Sequence, residues 1–256
     1  MDDTATARAL IGGAGAVTVL TGAGISTASG IPDFRGPEGI WTKDPHAEML
    51  SSYDVWVTDE EVRRRAWRQR VATRDTRPVP NAGHLALVEL ERSGRLDTLV
   101  TQNIDGLHHD AGNDPGRIVE IHGSTRGVVC LRCSDRGPID VVLDRVEAGE
   151  EVPTCRRAIA GVPCGGMLKS AVISFGQSLV AADLARAEAA ASRCDVLLVV
   201  GSTLGVWPVA GMVPIAVGAG VPVIIVNRGP TDMDEVAAVR VEGALEVVLP
   251  ELVAAL

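Results

Sequence analysis

Four thiols fall close together in this chain: Cys130-Leu131-Arg132-Cys133, then Cys155 and Cys164, with Gly165-Gly166 directly after. Four thiolates complete a tetrahedral zinc site with no open position, a structural rather than a catalytic arrangement. Clustered cysteines in an intracellular chain argue for metal over disulfides, with a redox role for the Cys130/Cys133 pair as the alternative. Cys194 precedes an apolar run and reads as a core residue. His122 stands just past one β-branched run; Gln102, Asn103 and Asp105 stand just past another. Together they form a polar cluster suited to acid–base work, because an imidazole titrates near working pH. Taken singly, Asn and Asp at such places also make turns and caps. Gly22-Ala23-Gly24 ends a third run, and glycine there lets phosphate approach backbone amides. No Gly-Lys-Ser/Thr follows and the third glycine of the dinucleotide fingerprint is missing, so a plain structural corner is the other reading of this turn.

The elements that must position these groups follow from periodicity. Val17 to Leu20, Leu96 to Thr101, Arg117 to Ile121, Val196 to Val200 and Val221 to Val226 read as buried parallel strands, and Val172 to Ser174 as strand-like. Helices are expected over 4–14, 59–73 (Val62, Ala66 and Trp67 inward), 181–193 with Leu184 on its apolar face, 208–217 with a kink near Pro214, and 244–255. Asn81 reads as the N-cap of a helix ending near Ser93, with Gly94 as its stop. His84 reads as part of that helix start, His108 and His109 as lining a turn, and His46 as incidental. Alternating strands and helices imply an α/β fold, a parallel sheet covered on both faces, with ligands beyond the carboxyl ends of its strands. Residues 123–169 carry the cysteines and little helical pattern except around 139–148. The expected division is therefore 1–122 with 170–256 as one discontinuous domain and 123–169 as a small insert.

The 256 residues, 46% of them hydrophobic, suffice for a large core. A formal net charge of -9 without a basic stripe speaks against a nucleic-acid partner. No apolar run approaches the ~18 residues of a membrane span, and the N-terminus has no secretory leader; a cytoplasmic monomer is expected. The run Arg63, Arg64, Arg65, Arg68 and Arg70 reads as the wet face of a helix, and the scarcity of lysine (Lys43 and Lys169 only) as a GC-rich genome.

The continuation Gly22-Ala23-Gly24-Ile25-Ser26-Thr27-Ala28-Ser29-Gly30-Ile31-Pro32-Asp33-Phe34-Arg35-Gly36 resembles the NAD-binding signature of the sirtuin family, extended by Gly39-Ile40-Trp41. Thr101-Gln102-Asn103-Ile104-Asp105-Gly106-Leu107-His108, His122-Gly123, the cysteine set and Gly201-Ser202-Thr203-Leu204 are similar to its other motifs, in family order. The last has two residues exchanged relative to the family's Gly-Thr-Ser-Leu. The resemblance implies a Rossmann-like domain with a zinc-binding insert and NAD-dependent removal of acyl groups, foremost acetyl, from protein lysines. Nicotinamide leaves as the acyl oxygen attacks, His122 acts as general base on the ribose hydroxyls, and O-acyl-ADP-ribose and free lysine result. Ala23 with Gly22 and Gly24 would cradle the pyrophosphate, and Asp33, Phe34 and Arg35 would lie over the nicotinamide ribose. Phe34 offers a flat face that excludes water, and Arg35 a bidentate phosphate contact. Gln102, Asn103, Ile104, Asp105, Gly201, Ser202, Thr203, Asn227 and Leu245 would complete the NAD site, with Asn103 placing ribose or water and Asp105 the nicotinamide amide. Val172, Phe175, Gly176 and Val206 would bind the acyl-lysine segment, which would add a strand to the protein. Cys130, Cys133, Cys155 and Cys164 would hold structural Zn2+.

Three departures stand out, the first bearing on Cys155 as a metal ligand and the other two on peptide preference rather than chemistry. Eight residues separate Cys155 from Cys164 where the family has a second tight pair; Ser170 replaces the usual proline and Gln177 an acidic residue. Sirtuins that take acidic acyl groups carry Tyr-x-x-Arg near 62–70; here that stretch has Trp67 and several arginines, and the only tyrosine is Tyr53. Acetyl or a longer apolar acyl group is thus expected. Protein ADP-ribosylation at the same site and a non-catalytic NAD or zinc interaction module are the competing readings.

Overall fold

Val17–Thr21 (β1) is β-branched and apolar, and all five of its residues are buried, as a strand covered on both faces requires. The computed structural model describes residues 2–34, 39–43, 51–76 and 78–254. In it β1 lies at the centre of a six-stranded sheet with Leu96–Thr101 (β2) and Ile118–Glu120 (β3) on one side. The shorter strands Gly127–Cys130 (β4), Arg136–Pro138 (β5), Ala158–Ile159 (β6), Val162–Pro163 (β7) and Leu168–Ser170 (β8) intervene before Val196–Val200 (β9), Val223–Asn227 (β10) and Val239–Glu242 (β11) complete it. The order is β11-β10-β9-β1-β2-β3, and every pair in it is parallel. The chain steps outward from β1 to β3, then returns to place β9 against the other edge of β1. This reversal opens a crevice beyond the carboxyl ends of β1 and β9, where such sheets bind ligands.

Two cores sandwich the sheet. Helices Asp3–Gly13, Ala82–Arg92 and Leu245–Val253 bury Ile11, Leu87, Leu90, Leu249 and Leu252 on one face. Helices Ala181–Arg193 and Met212–Gly218 bury Ala187, Ala191, Val213 and Ala216 on the other, with Cys194 in the same cluster. A third core lies apart. β4, β5 and β8 form an antiparallel sheet, β6 and β7 a hairpin, and helix Asp140–Glu147 covers them with Val142 and Leu143. Trp56 and Trp67, from helices Tyr53–Thr58 and Glu60–Ala72, close this core. Their rings meet edge to face at 6.0 Å, so the cysteine-bearing segment completes its interior with residues far upstream.

Several expectations are corrected. Val172 to Ser174 is not a strand: a β-branched run needs a continuous neighbour to pair with, and here Ile173 N–H makes a single bond to the His122 carbonyl at 2.8 Å while Phe175 bridges to Ser52. The glycine turn continues as a 3-10 helix over Ala23–Ser29. β11, with its alternating Val-Arg-Val-Glu, is an additional edge strand. His108 is buried on the short helix Leu107–Ala111 rather than lining a turn. Arg63 is buried and donates to the Trp56 carbonyl at 2.7 Å, so the arginine helix is not a simple wet face. Val62 and Ala66 are half-buried, Trp67 alone of the three being fully enclosed. Among the described residues, no helix is long and apolar enough to cross a membrane.

Candidate active site and metal centre

Gly22 and Gly24 are glycines because two strand ends meet there. A Cβ on Gly22 would stand 2.6 Å from the Gly201 carbonyl oxygen, and one on Gly24 2.7 Å from the Gly201 Cα. The close approach is fixed by Gly22 N–H donating to Val200 O and Gly24 N–H to Gly201 O, both at 2.9 Å. Gly201 itself adopts a φ of 62°, where a side chain is strained, and Leu245 packs against it. The turn thus packs directly on the β9 exit and lines the crevice, its glycines required by the close approach of the two strand ends.

The β2 exit faces this turn. Asn103 is buried and its amide donates to Gly22 O and to Ser26 Oγ, each at 3.1 Å. Ser26 Oγ donates to Asp105 at 2.8 Å, and Asp105 also accepts from Leu107 N–H at 2.9 Å. The Gln102 amide donates to Ser202 Oγ at 2.9 Å, tying the β2 and β9 exits together. His122, past the end of β3, places Nδ1 at 3.0 Å from the Gln102 carbonyl. A carbonyl only accepts, so the proton is on Nδ1 and the Nε2 lone pair is available. Burial pushes the His122 pKa below its ordinary value, the Gln102 contact pulling partly back.

One cavity of roughly 1630 Å3 joins these groups. Gly22, Ala23, Gly24, Asp33, Phe34, Gln102, Asn103, Ile104 and His122 line it, as do Val172, Phe175, Gly176, Gly201, Ser202, Thr203, Val206, Asn227 and Leu245. The volume exceeds the ~300–1,000 Å3 of an ordinary small-molecule pocket and has room for a dinucleotide with a second ligand. Asp105 is not among the lining residues; its carboxylate supports Ser26 from behind. Arg35 lies outside the described residues, as does His46.

The cavity also holds groups that the sequence did not assign to a site. Arg65, Ala66, Gln69 and Arg70 face it from helix Glu60–Ala72, with Trp56, Lys169 and Ser170 beside them. Their spacing of three and four residues was the available signal, one helix face. Arg70 donates to Ser170 Oγ at 2.8 Å and lies 5.9 Å from the Trp67 ring centre. Lys169, 2% exposed, donates to the Val172 carbonyl. Burial lowers the Arg70 pKa; burial and then the Arg70 charge lower that of Lys169 to about 8. Among the described residues, neither cation has a carboxylate within ion-pair distance.

The four cysteine sulfurs lie within 4.8 Å of one another. Cys130 and Cys164 are 3.8 Å apart and Cys133 and Cys155 3.7 Å. A tetrahedron with Zn–S of ~2.3 Å has edges of ~3.8 Å, so the thiols fit zinc, and Cys155 belongs to the set despite its unusual spacing. N–H groups of Arg132 and Cys133 point at Cys130 Sγ, and a Cβ on Gly166 would stand 2.7 Å from that sulfur. All four ligands are protein thiols, leaving no open position for catalysis.

A model of the Sir2 family matches residues 22–208. A Streptomyces coelicolor protein named NAD-dependent protein deacetylase 2 is 43% identical over 236 residues, covering 92% of this chain and 95% of its own. A solved structure from work on the mechanism and regulation of Sir2 enzymes superimposes with a TM-score of 0.85 at 36% identity, covering 98% of this chain and 96% of its own. A Sir2 enzyme bound to acetylated peptide gives 0.81 at 28% identity, covering 95% and 94%. With the family model spanning most of its length and a relative this similar, the chain belongs to the Sir2 family.

Proposed function

We propose that this protein is an NAD-dependent protein-lysine deacylase, acting first on acetyl-lysine and yielding nicotinamide, O-acyl-ADP-ribose and free lysine. The observation that carries it is the shared cavity: an imidazole with a free Nε2 faces the same enclosed space as a bare glycine turn at the sheet's switch point. The relative's name and the acetylated peptide of its structural neighbour support the same reading. NAD, when bound, supplies the ribose that accepts the acyl group as nicotinamide departs. The protein's residues do the rest. Gly22, Ala23 and Gly24 cradle the pyrophosphate, Ser202, Thr203, Asn227 and Leu245 receive the adenosine half, and Asp33 and Phe34 cover the nicotinamide end. Asn103 orients the ribose, and His122 Nε2 takes a hydroxyl proton. Val172, Phe175, Gly176 and Val206 border the acyl-lysine channel.

In this reading residues 1–122 and 170–256 form the nucleotide-binding body and 123–169 the zinc-braced lobe, its core completed by Trp56 and Trp67. The enzyme works as a cytoplasmic monomer. His122→Ala tests the chemistry: formation of O-acyl-ADP-ribose and free lysine from acetylated peptides falls ~10³-fold or more, in the range of a lost general base, while the melting temperature is held. Full turnover in that variant refutes the assignment. Mass spectrometry of products separates O-acyl-ADP-ribose from ADP-ribosylated protein. A second reading concerns the acyl group alone: the half-buried Arg70 and the buried Lys169 at the cavity wall favour an acyl chain ending in a carboxylate.

A further inference from the structure

Two buried histidines beneath the nucleotide turn are not used by the mechanism above. His84 is fully enclosed and His108 nearly so. Their rings tilt at 55° with centres 5.0 Å apart. Each has one nitrogen engaged. His84 Nδ1 accepts from Asn81 N–H at 3.4 Å, and His108 Nε2 lies 3.0 Å from Thr21 Oγ1. Each has one nitrogen buried without a partner, Nε2 of His84 and Nδ1 of His108. A buried polar atom left unpaired costs about 1–3 kcal/mol, so two on facing rings call for an explanation.

The protonation states supply it. Accepting at Nδ1 makes His84 carry its proton on Nε2, a donor. If Thr21 donated to His108 Nε2, then His108 would carry Nδ1–H and both unpartnered nitrogens of the neighbouring rings would be donors. If His108 Nε2–H donates to Thr21, its Nδ1 becomes the acceptor that His84 lacks. Only the second arrangement closes. The flanking contacts give it a purpose. Thr21 immediately precedes Gly22, and its carbonyl accepts Gln102 N–H at 2.9 Å. The Asn81 side chain donates to Ile25 O at 2.8 Å and Ser29 Oγ at 2.9 Å. The two histidines therefore connect the start of the nucleotide turn to its far end.

We infer that His84 and His108 are positioning residues for NAD, forming one directional, neutral hydrogen-bond chain. It runs from Asn81 N–H to His84 Nδ1, from His84 Nε2–H to His108 Nδ1, and from His108 Nε2–H to Thr21 Oγ1. The middle link closes by a small ring rotation or through one buried water. The inference rests on residues 22–29 being the nucleotide cradle, and calorimetric NAD binding to the unaltered protein tests that reading separately.

Nitrogen-15 NMR of the histidine-labelled full-length protein at neutral pH tests the chain itself. The expected result is the neutral Nε2–H form at both His84 and His108; an Nδ1–H form or an imidazolium at either overturns the inference. A pair of variants tests positioning. Glutamine places its amide nitrogen near the Nε2 position and asparagine stops near Nδ1. His108→Asn is expected to raise the KM for NAD about 10-fold with kcat little changed, and His108→Gln to keep KM within about 3-fold. Equal effects of the two substitutions, or a loss confined to kcat, also overturn it. Should the asparagine variant fail to fold, the tautomers of the unaltered protein decide alone.

Discussion

At the scale of single residues, the site depends on which nitrogen of His122 is free and when. The Gln102 carbonyl fixes the proton on Nδ1, and burial outweighs that contact to hold the pKa below the ordinary value. The sign of the consequence follows. A general base works when neutral, and a lowered pKa keeps it neutral further into acid. The kcat/KM of deacylation is therefore expected to stay level as pH falls to about 6.5, the usual histidine value, and to decline only below it. A half-point above pH 7 in the profile would mean that His122 is stabilised in its charged form, contrary to this geometry. The residues of the glycine turn, Gln102, Asn103 and His122 were legible in the sequence because each follows a strand, where small or polar residues have no packing reason to be. Arg70 was not. Five arginines in one helix look solvated, and only the assembly of Trp56 and Trp67 into a shared core turns that face toward the cavity.

Whole elements were readable where one physical signal dominated. β2, β9 and the helix Ala181–Arg193 have the bounds that their apolar runs and periodicity give. β11 alternates valine with charge over four residues, too short to separate from a loop until β10 pairs with it. Val172 to Ser174 carried strand residues without a strand partner. The metal-bearing segment is the clearest case of an element defined by chemistry rather than periodicity, since β6 and β7 are two residues each and exposed. Its order comes from the four thiols and from the glycine that lets them close. On Gly166 a Cβ would meet Cys130 Sγ at 2.7 Å and Arg132 Cβ at 2.6 Å, so the ligand loop must shift to accommodate one. Gly166→Ala is expected to weaken zinc retention ~10- to 100-fold, the usual effect of disturbing groups that orient metal ligands, as read by competition with a chromophoric chelator. The melting temperature should fall with it while His122 chemistry at saturating zinc persists. Unaltered retention would show that the loop does not depend on the missing side chain.

At the scale of the molecule, the cavity lies between the strand ends of the six-stranded sheet and the helix Glu60–Ala72 with β8, and its two walls differ in charge. The sheet side offers backbone amides and neutral polar groups together with Asp33, Arg228 and Glu246. The helix Glu60–Ala72 and β8 offer Arg70 and Lys169, in a protein whose formal net charge is -9. A buried cation beside a half-buried one is costly unless an anion joins them, and the acids that could have served are elsewhere: Glu60, Glu61 and Glu151 pair with Arg64 on the outer face. An acyl chain ending in a carboxylate supplies the missing charge, whereas an acetyl group leaves both cations as they are. On the second reading, peptides carrying succinyl-lysine would be turned over with a higher kcat/KM than their acetyl counterparts, and on the first reading with a lower one. Arg70→Met, which keeps the length of the stem and removes the charge, should lower the succinyl-to-acetyl ratio about 10-fold or more, the worth of a charged hydrogen bond. The pH dependence gives an independent reading. Lys169 loses its proton near pH 8, so the ratio should decline as pH rises through that value even in the unaltered enzyme. A ratio indifferent both to Arg70 and to pH between 7 and 9 would assign the two cations to holding Ser170 and the Val172 carbonyl in place, and return the cavity to apolar acyl groups.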